Sequence, residues 1–429
     1  MPEPILDDDL LDRLQRSAFG YFLEATNPAN GLVADTSREG SPASIAVVGF
    51  ALSAYPVAVE RSWLTRDDAA RRTLVTLRFF EASTQGLSPN ATGYQGFYYH
   101  FLDLESGRRV WRCELSPIDT ALFIAGVLTA AAYFTHATFV EGELRRLARE
   151  LFDRIDWNWA RNGKATVAQG FKPECGFLHY DWQGYNEAAL LYVLGLASDT
   201  FPLPSSSYAA WTATYQWERI YGCDLLYAGP LFIHQFSHAW IDFRKIQDPF
   251  MREKGSDYFE NSRRAIDVQR EYARQNPNGY GTYGADCWGL SAGDGPGSRT
   301  ARIHGRQQRF SEYTARGVPY GPDDGTIAPG AALASLPFAP SLALSATRHF
   351  LELYPEWTST WRLPSGFNRD APSSDPERGW ISEGFYGLDQ GIVVLMIENH
   401  RTGLIWKLMR SSQIIRAGLK RAGFEGGWL

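Results

Sequence analysis

The sequence predicts an all-α fold, with helical hairpins arranged in a ring as an (α/α) toroid, plus a short β-hairpin and long loops over its cleft. Three observations carry this reading. About a dozen segments show apolar residues at helical spacing, many opened by Ser, Thr or Asp and closed by Asn, Gly or Pro. The loops between them are alternately tight and elaborate. Strand-like alternation is confined to short stretches, and neither a linker nor a low-complexity segment divides the chain, so residues 1–429 read as one domain.

In chain order, residues 10–24 alternate apolar and charged residues at helical spacing, and Asn27-Pro28 with Gly31 ends them. Ser44 caps a helix through SIAVVGFALSAYPVAVERSW, and Thr65 caps a third to residue 82, with Asp67 and Asp68 suiting its positive end. The stretch 83–114 contains QGFYYHFLDLESGRRVWRCE, whose alternation and Ser106-Gly107 turn predict the hairpin. Ser116-Pro117 opens a helix to residue 134, with Ser at the cap and Pro at the first helical position, and another helix spans 141–157. Residues 185–197 are apolar nearly all round, as in a buried helix, and 206–220 form its partner. A helix over 256–275 stops at Asn276-Pro277. Residues 279–325 form a long glycine-rich loop, a length that suits a flap over a site. Helices near Pro329 and over 339–353, 388–399 and 403–410 complete the ring, with Phe367-Asn368 and Trp380 in a loop.

Composition narrows the ligand. Hydrophobic residues make up 44% and charged residues 21%, so 14 Trp, 21 Tyr and 25 Phe exceed what core filling needs, and some are expected to line a cleft. A net charge of −6 argues against a phosphate-tracking surface, hence against nucleic acid as a partner. No stretch reaches membrane-spanning length. The acidic start MPEPILDDDLLDRLQRS lacks the basic and apolar regions of a signal peptide, so the expected location is the cytoplasm, or the periplasm if a leader has been removed. Cys113, Cys175, Cys223 and Cys287 form neither a CxxC pair nor a framework spacing.

Chemistry-bearing side chains concentrate at 229–244, GPLFIHQFSHAWIDFR. A helix over 232–243 would put His234, His238 and Asp242 on one face, which fits either a zinc site or a polyol grip among aromatic rings. The metalloprotease pattern fails at Gln235, where it requires Glu. No GxSxG elbow is present, and SAGDGPG lacks the Lys-Ser/Thr of a phosphate loop. In a helical toroid the helix ends and their loops form a funnel, which singles out the junction carboxylates Glu114, Asp119, Glu187 and Asp389. Glycosidic cleavage needs one carboxyl to protonate the leaving oxygen and another as base or nucleophile. At Glu187 the helix dipole lowers the pKa while burial and neighbouring acids raise it. The bland alternatives are a first-turn acid at Glu187, a capping-box partner at Asp119 and an N-cap at Asp389, while Glu114 lies outside its helix. Tyr98, Trp182, Trp240, Trp288 and Trp380 are candidate sugar platforms.

The motifs SPIDTALFIAG, GYNEAALLY, GPLFIHQFSHAWIDFR, DYFENSRRA, DGTIAP and YGLDQG together resemble a bacterial glucoamylase-like family, over nearly the whole chain from GLVADT to GLIW. That family includes endo-β-1,2-glucanases, relatives acting on β-1,2-gluco-oligosaccharides, and the transglycosylating domain of cyclic β-1,2-glucan synthases. The resemblance implies an (α/α)6 barrel and a glycoside hydrolase, or a transglycosylase, that acts on β-1,2-glucan by carboxylate chemistry with no metal or other cofactor. It implies Glu187 as general acid, with Asp389 and Glu114 or Asp119 completing the acidic centre. It also implies a glucan-contacting wall at HQFSHAWIDFR, including His234, Gln235, His238, Trp240 and Asp242; Trp182, Tyr185, Glu383 and Tyr386 join the candidate sugar contacts. The stretch 291–325 is longer than the family pattern, which leaves chain-length preference and endo or exo action open. An α-glucoside-cleaving glucoamylase and a non-catalytic glucan-binding protein are the alternative readings.

Overall fold

The computed structural model describes residues 6–303 and 305–429. Its described residues form fifteen α-helices: α1 (Asp7–Glu24), α2 (Ile45–Glu60), α3 (Arg66–Ala82), α4 (Pro117–Tyr133), α5 (Phe139–Asp153), α6 (Ala189–Ala197), α7 (Ser205–Thr212), α8 (Phe236–Trp240), α9 (Pro249–Glu253), α10 (Tyr258–Gln275), α11 (Pro329–Ala334), α12 (Pro340–Leu353), α13 (Gly387–Arg401), α14 (Leu404–Ser411) and α15 (Gln413–Arg421). Strands occur among these residues as seven antiparallel pairs. No described helix is long and apolar enough to cross a membrane.

Local chemistry sets the helix ends. The side chains of Thr65, Ser116, Thr138, Asp248, Asp257 and Ser412 each accept a hydrogen bond from the backbone N–H three residues on, satisfying donors that a helix start leaves unpaired. Asn276, in the left-handed conformation, closes α10. The core is built on α2, α4, α6 and α13, which are buried over most of their length, while amphipathic α5, α10, α14 and α15 present polar faces outward. Helices α2 and α4 touch backbone to backbone. A Cβ on Gly49 would lie 2.3 Å from the Leu122 carbonyl, and one on Gly126 would lie 2.1 Å from the Gly49 carbonyl. Glycine at Gly418 permits the same approach of α15 to α6.

Several elements differ from the expectations. Residues 206–220 are not one helix: α7 stops at Thr212, and Trp217–Ile220 pairs with Cys223–Leu226 through a turn at Tyr221 and Gly222. Both turn residues have positive φ, 48° and 80°, which suits the twist of a two-residue hairpin and stops helical propagation. In 83–114 the hairpin turns at Gln95-Gly96, joining Gly93–Tyr94 to Phe97–Tyr98, while the Ser106-Gly107 turn closes a single bridge between Leu102 and Arg109. The glycine-rich 279–325 segment holds a second hairpin, Arg299–Ile303 with Arg306–Phe310. Helix α15 lies beyond the last helix that the hydrophobic pattern predicted.

Candidate active site

Three buried helices aim their N-terminal ends at one cleft of about 770 Å³. Asp119 stands in the first turn of α4, Asp389 in the first turn of α13, and Glu187 in the turn just before α6. Glu114 and Asp35 join them in the lining, so all four predicted catalytic acids border a single space. Asp389 is not the N-cap of its helix, a position held by Tyr386, and one of its buried carboxylate oxygens has no protein partner. Asp119 receives the Ser116 hydroxyl, while the Ser116 N–H donates to the Tyr98 carbonyl at 3.0 Å, so the reciprocal bond of a capping box is absent. His100 lies 3.1 Å from Glu114 and 3.6 Å from Asp119. Bridges from Tyr99 to Leu115 and from Leu115 to Phe171 hold this part of the wall, and the bare α-carbon of Gly170 leaves room for the Glu114 side chain.

Proton affinities sort the acids. Burial raises Glu187 to about 7 and is reinforced by Asp119, against a backbone hydrogen bond that lowers it. Burial likewise raises Asp389 to about 7, opposed by the Ser365 hydroxyl and reinforced by Asp35 and Asp294. Asp35 is pushed by burial to about 6, with His100 pulling down and Asp119 pushing up. At His100 burial works downward, but the combined carboxylates of Asp119, Glu114 and Asp35 outweigh it and lift the imidazole to about 9. The hydrogen bond from His100 holds Glu114 below the usual range. At neutral pH the cleft therefore contains a fixed imidazolium–carboxylate pair and two carboxyls, Glu187 and Asp389, that exchange protons readily.

Aromatic rings surround the acids. His100 stacks on Phe101 with centroids 3.9 Å apart, Phe101 lies 5.2 Å from Trp111, and Tyr313 lies 5.9 Å from Tyr386. Trp111 and Tyr313 are 70% and 52% exposed, available to stack on a ligand. Arg38 ties the mouth together, bonding Asp294, the Glu383 carbonyl and the Tyr386 hydroxyl. Among the predicted sugar contacts, Trp182, Gln235 and Tyr386 line the cleft. Asp35, His100, Trp111 and Tyr313 also line the cleft but were not among the predicted site residues, because they stand on loops whose neighbouring residues carry no signal of what faces them across the fold.

The 229–244 segment corrects the largest expectation. It is not one helix: Leu231–His234 forms a 3-10 turn, α8 follows, and the chain is extended again at Ile241. The expected shared face of His234, His238 and Asp242 is therefore absent, because tertiary hydrogen bonds override the local period. His234 approaches the Tyr185 hydroxyl at 3.3 Å and the Ala228 carbonyl at 3.1 Å, and His238 meets the Ser262 hydroxyl at 3.1 Å. Burial lowers the two imidazoles to about 4 and 3, so they are neutral at working pH. Trp240 donates to the Ser53 hydroxyl inside the core, and Tyr98 and Trp288 are likewise enclosed. Tyr185, Trp380 and Glu383 also lie outside the cleft lining. What the segment supplies is support. Its Ser237 hydroxyl donates to the Glu187 carbonyl at 2.8 Å and accepts from the Leu190 N–H at 3.1 Å, fixing the turn that carries the acid.

Asp242 is wholly buried, bound to Arg244 at 2.6 and 2.8 Å and also to Arg410. Asp242→Ala should destabilise the protein by about 3 kcal/mol, measured by urea unfolding. The lower end of the range for a broken buried pair applies because Arg244 and Arg410 keep 46% and 35% side-chain exposure and can be rehydrated.

Known proteins resemble this chain. The Glycoamylase family model, described as putative glucoamylase, matches residues 179–413. An exo beta-1,2-glucooligosaccharide sophorohydrolase (non-reducing end) from Parabacteroides distasonis is 26% identical over 97% of this chain, which spans 58% of that relative's length. The crystal structure of a putative glucoamylase from Bacteroides uniformis superposes with a TM-score of 0.87 at 30% identity, covering 100% of both chains. An endo-beta-1,2-glucanase from Chitinophaga pinensis, in complex with sophorotriose and glucose, superposes with a TM-score of 0.84 at 25% identity over 99% of this chain and 100% of its own. The family match contains Glu187 and Asp389, and the overlay continues through the N-terminal third that supplies Glu114 and Asp119; the chain belongs to the putative glucoamylase family.

Proposed function

We propose that this protein hydrolyses β-1,2-linked gluco-oligosaccharides in the cleft of an (α/α)6 toroid, with Glu187 as general acid and Asp389 serving the attacking face. The observation that carries the reading is the pair of half-buried carboxyls, both near 7, at helix ends that border one aromatic-rimmed cleft. The activities named for the Parabacteroides and Chitinophaga relatives support the β-1,2 linkage.

Protonated Glu187 delivers its proton to the glycosidic oxygen as the C1–O bond breaks, so the leaving sugar departs as a neutral alcohol. Ionised Asp389 directs its unpartnered oxygen at the attacking side, where it activates the nucleophile or supplies it. The negative charges of Glu114 and its neighbours offset the positive charge that develops on the sugar ring, with His100 fixing their positions. Trp182 and Tyr386 provide ring surface and a hydroxyl for the bound glucosyl units.

Incubation with linear β-1,2-glucan and with sophoro-oligosaccharides should yield shorter oligosaccharides by chromatography. No product from either, together with glucose release from maltodextrin, would reassign the enzyme to α-glucosides. Products longer than the starting oligosaccharide would identify transglycosylation by the same acids.

A further inference from the structure

A second cavity of about 690 Å³ opens beside the cleft, lined by Tyr21, Glu24, Asn27, Asp103 and Glu105 among others. Its border with the cleft is shared: Trp111 and the residues Thr36, Arg38 and Ser41 line both spaces. Two features set Trp111 apart. The ring is 70% exposed at the junction, yet the turn beneath it is clamped: Arg109 donates to the Cys113 carbonyl at 2.6 Å and pairs with Glu174, and the Phe101 N–H donates to the Cys113 sulfur at 3.3 Å. Trp111 and Arg112 also hold left-handed backbone conformations, φ 57° and 50°. For side chains of this size that conformation is unfavourable, and such positions cluster at ligand clamps. Packing does not account for a rigidly presented, solvent-facing indole. A sugar face does.

From this geometry we propose that the side cavity binds further glucosyl units of the chain being cleaved, with Trp111 as the stacking platform over which the chain passes, so that long β-glucan is preferred to short oligosaccharides. The inference rests on the β-1,2-glucan reading above. Three rings lead outward from the acids, His100 to Phe101 to Trp111, and the far cavity offers carboxylates and loop hydroxyls suited to sugar hydroxyls. A chain emerging past Trp111 therefore meets a second lined space rather than a closed wall.

The test compares kcat/KM on short sophoro-oligosaccharides and on long linear β-1,2-glucan for the wild type, Trp111→Ala and Trp111→Phe. The ratio of long-chain to short-chain kcat/KM should fall at least about tenfold in Trp111→Ala and be largely retained in Trp111→Phe, which keeps a ring. Equal loss on both substrates, or no loss on either, would overturn the proposal. Far-ultraviolet circular dichroism confirms that the variants are folded. Calorimetric binding of long and short chains to Glu187→Gln, with and without Trp111→Ala, separates the two readings. A wild type that turns over neither substrate defeats the activity, whereas long-chain binding that is insensitive to Trp111 defeats the groove.

Discussion

Glu187→Gln is expected to lower kcat on sophoro-oligosaccharides by about 10²–10⁴-fold while leaving the fold and substrate binding in place. The loss should shrink on an aryl β-glucoside with a good leaving group, because that alcohol departs without a proton. Stability supplies a separate readout. The folded-state pKa of Glu187, about 7, lies above the ordinary 4.5, so folding favours its protonated form. The wild type therefore loses stability as pH rises from 4.5 through 7, by up to about 3 kcal/mol. Glutamine carries no charge to bury. The variant should match the wild type below pH 4.5 and exceed it above pH 7 in urea unfolding. A variant that is less active but no more stable at high pH would place Glu187 in a better-hydrated setting than its burial implies.

Asp389→Asn should produce a loss of similar size, about 10²–10⁴-fold, with the opposite substrate pattern. With Asp389 on the attacking side, as proposed, an activated leaving group should give no rescue. Its pKa of about 7 also sets the pH profile. The proposed roles require Asp389 ionised, so activity should fall as pH drops through 7, and Glu187 protonated, so it should fall as pH rises through 7. A narrow bell centred near neutrality follows. Glu187→Gln should abolish the alkaline limb of its residual activity and leave the acid limb. A profile that stays flat down to pH 5 in the wild type would remove Asp389 from the role.

The parts of this molecule that were legible in sequence are those whose physics is local. Ser116-Pro117, Thr65 and Asn276-Pro277 mark helix ends because an orphaned backbone group or a missing N–H acts within a few residues, and each stands where the pattern put it. The acids were legible for the same reason: Asp119, Glu187 and Asp389 each precede or open a long apolar run, which fixes both the helix and the end at which the charge sits. The 229–244 segment was not. Its periodicity is genuine, but Ser237, Gln235 and His234 form bonds to α6, to the α11 region and to the Tyr185 side chain, and those distant partners break the helix at Gln235. Asp35, Trp111 and Tyr313 reach the cleft from loops, where nothing in the neighbouring residues reports what lies across the fold.

The glycine contact between α2 and α4 bears on the position of the acids. Two bare α-carbons act as a gauge block: they fix the separation of the helices, and with it the station of Asp119 and of the loop that follows Asp35. A single methyl at Gly49 would have to displace main chain, not a side chain, so an error there is transmitted whole to the acids. The Arg299–Ile303 and Arg306–Phe310 strands, by contrast, pair with each other and, among the described residues, with no other strand. A methyl at Gly49 should therefore disturb Asp119 although Gly49 itself lies outside the cleft lining.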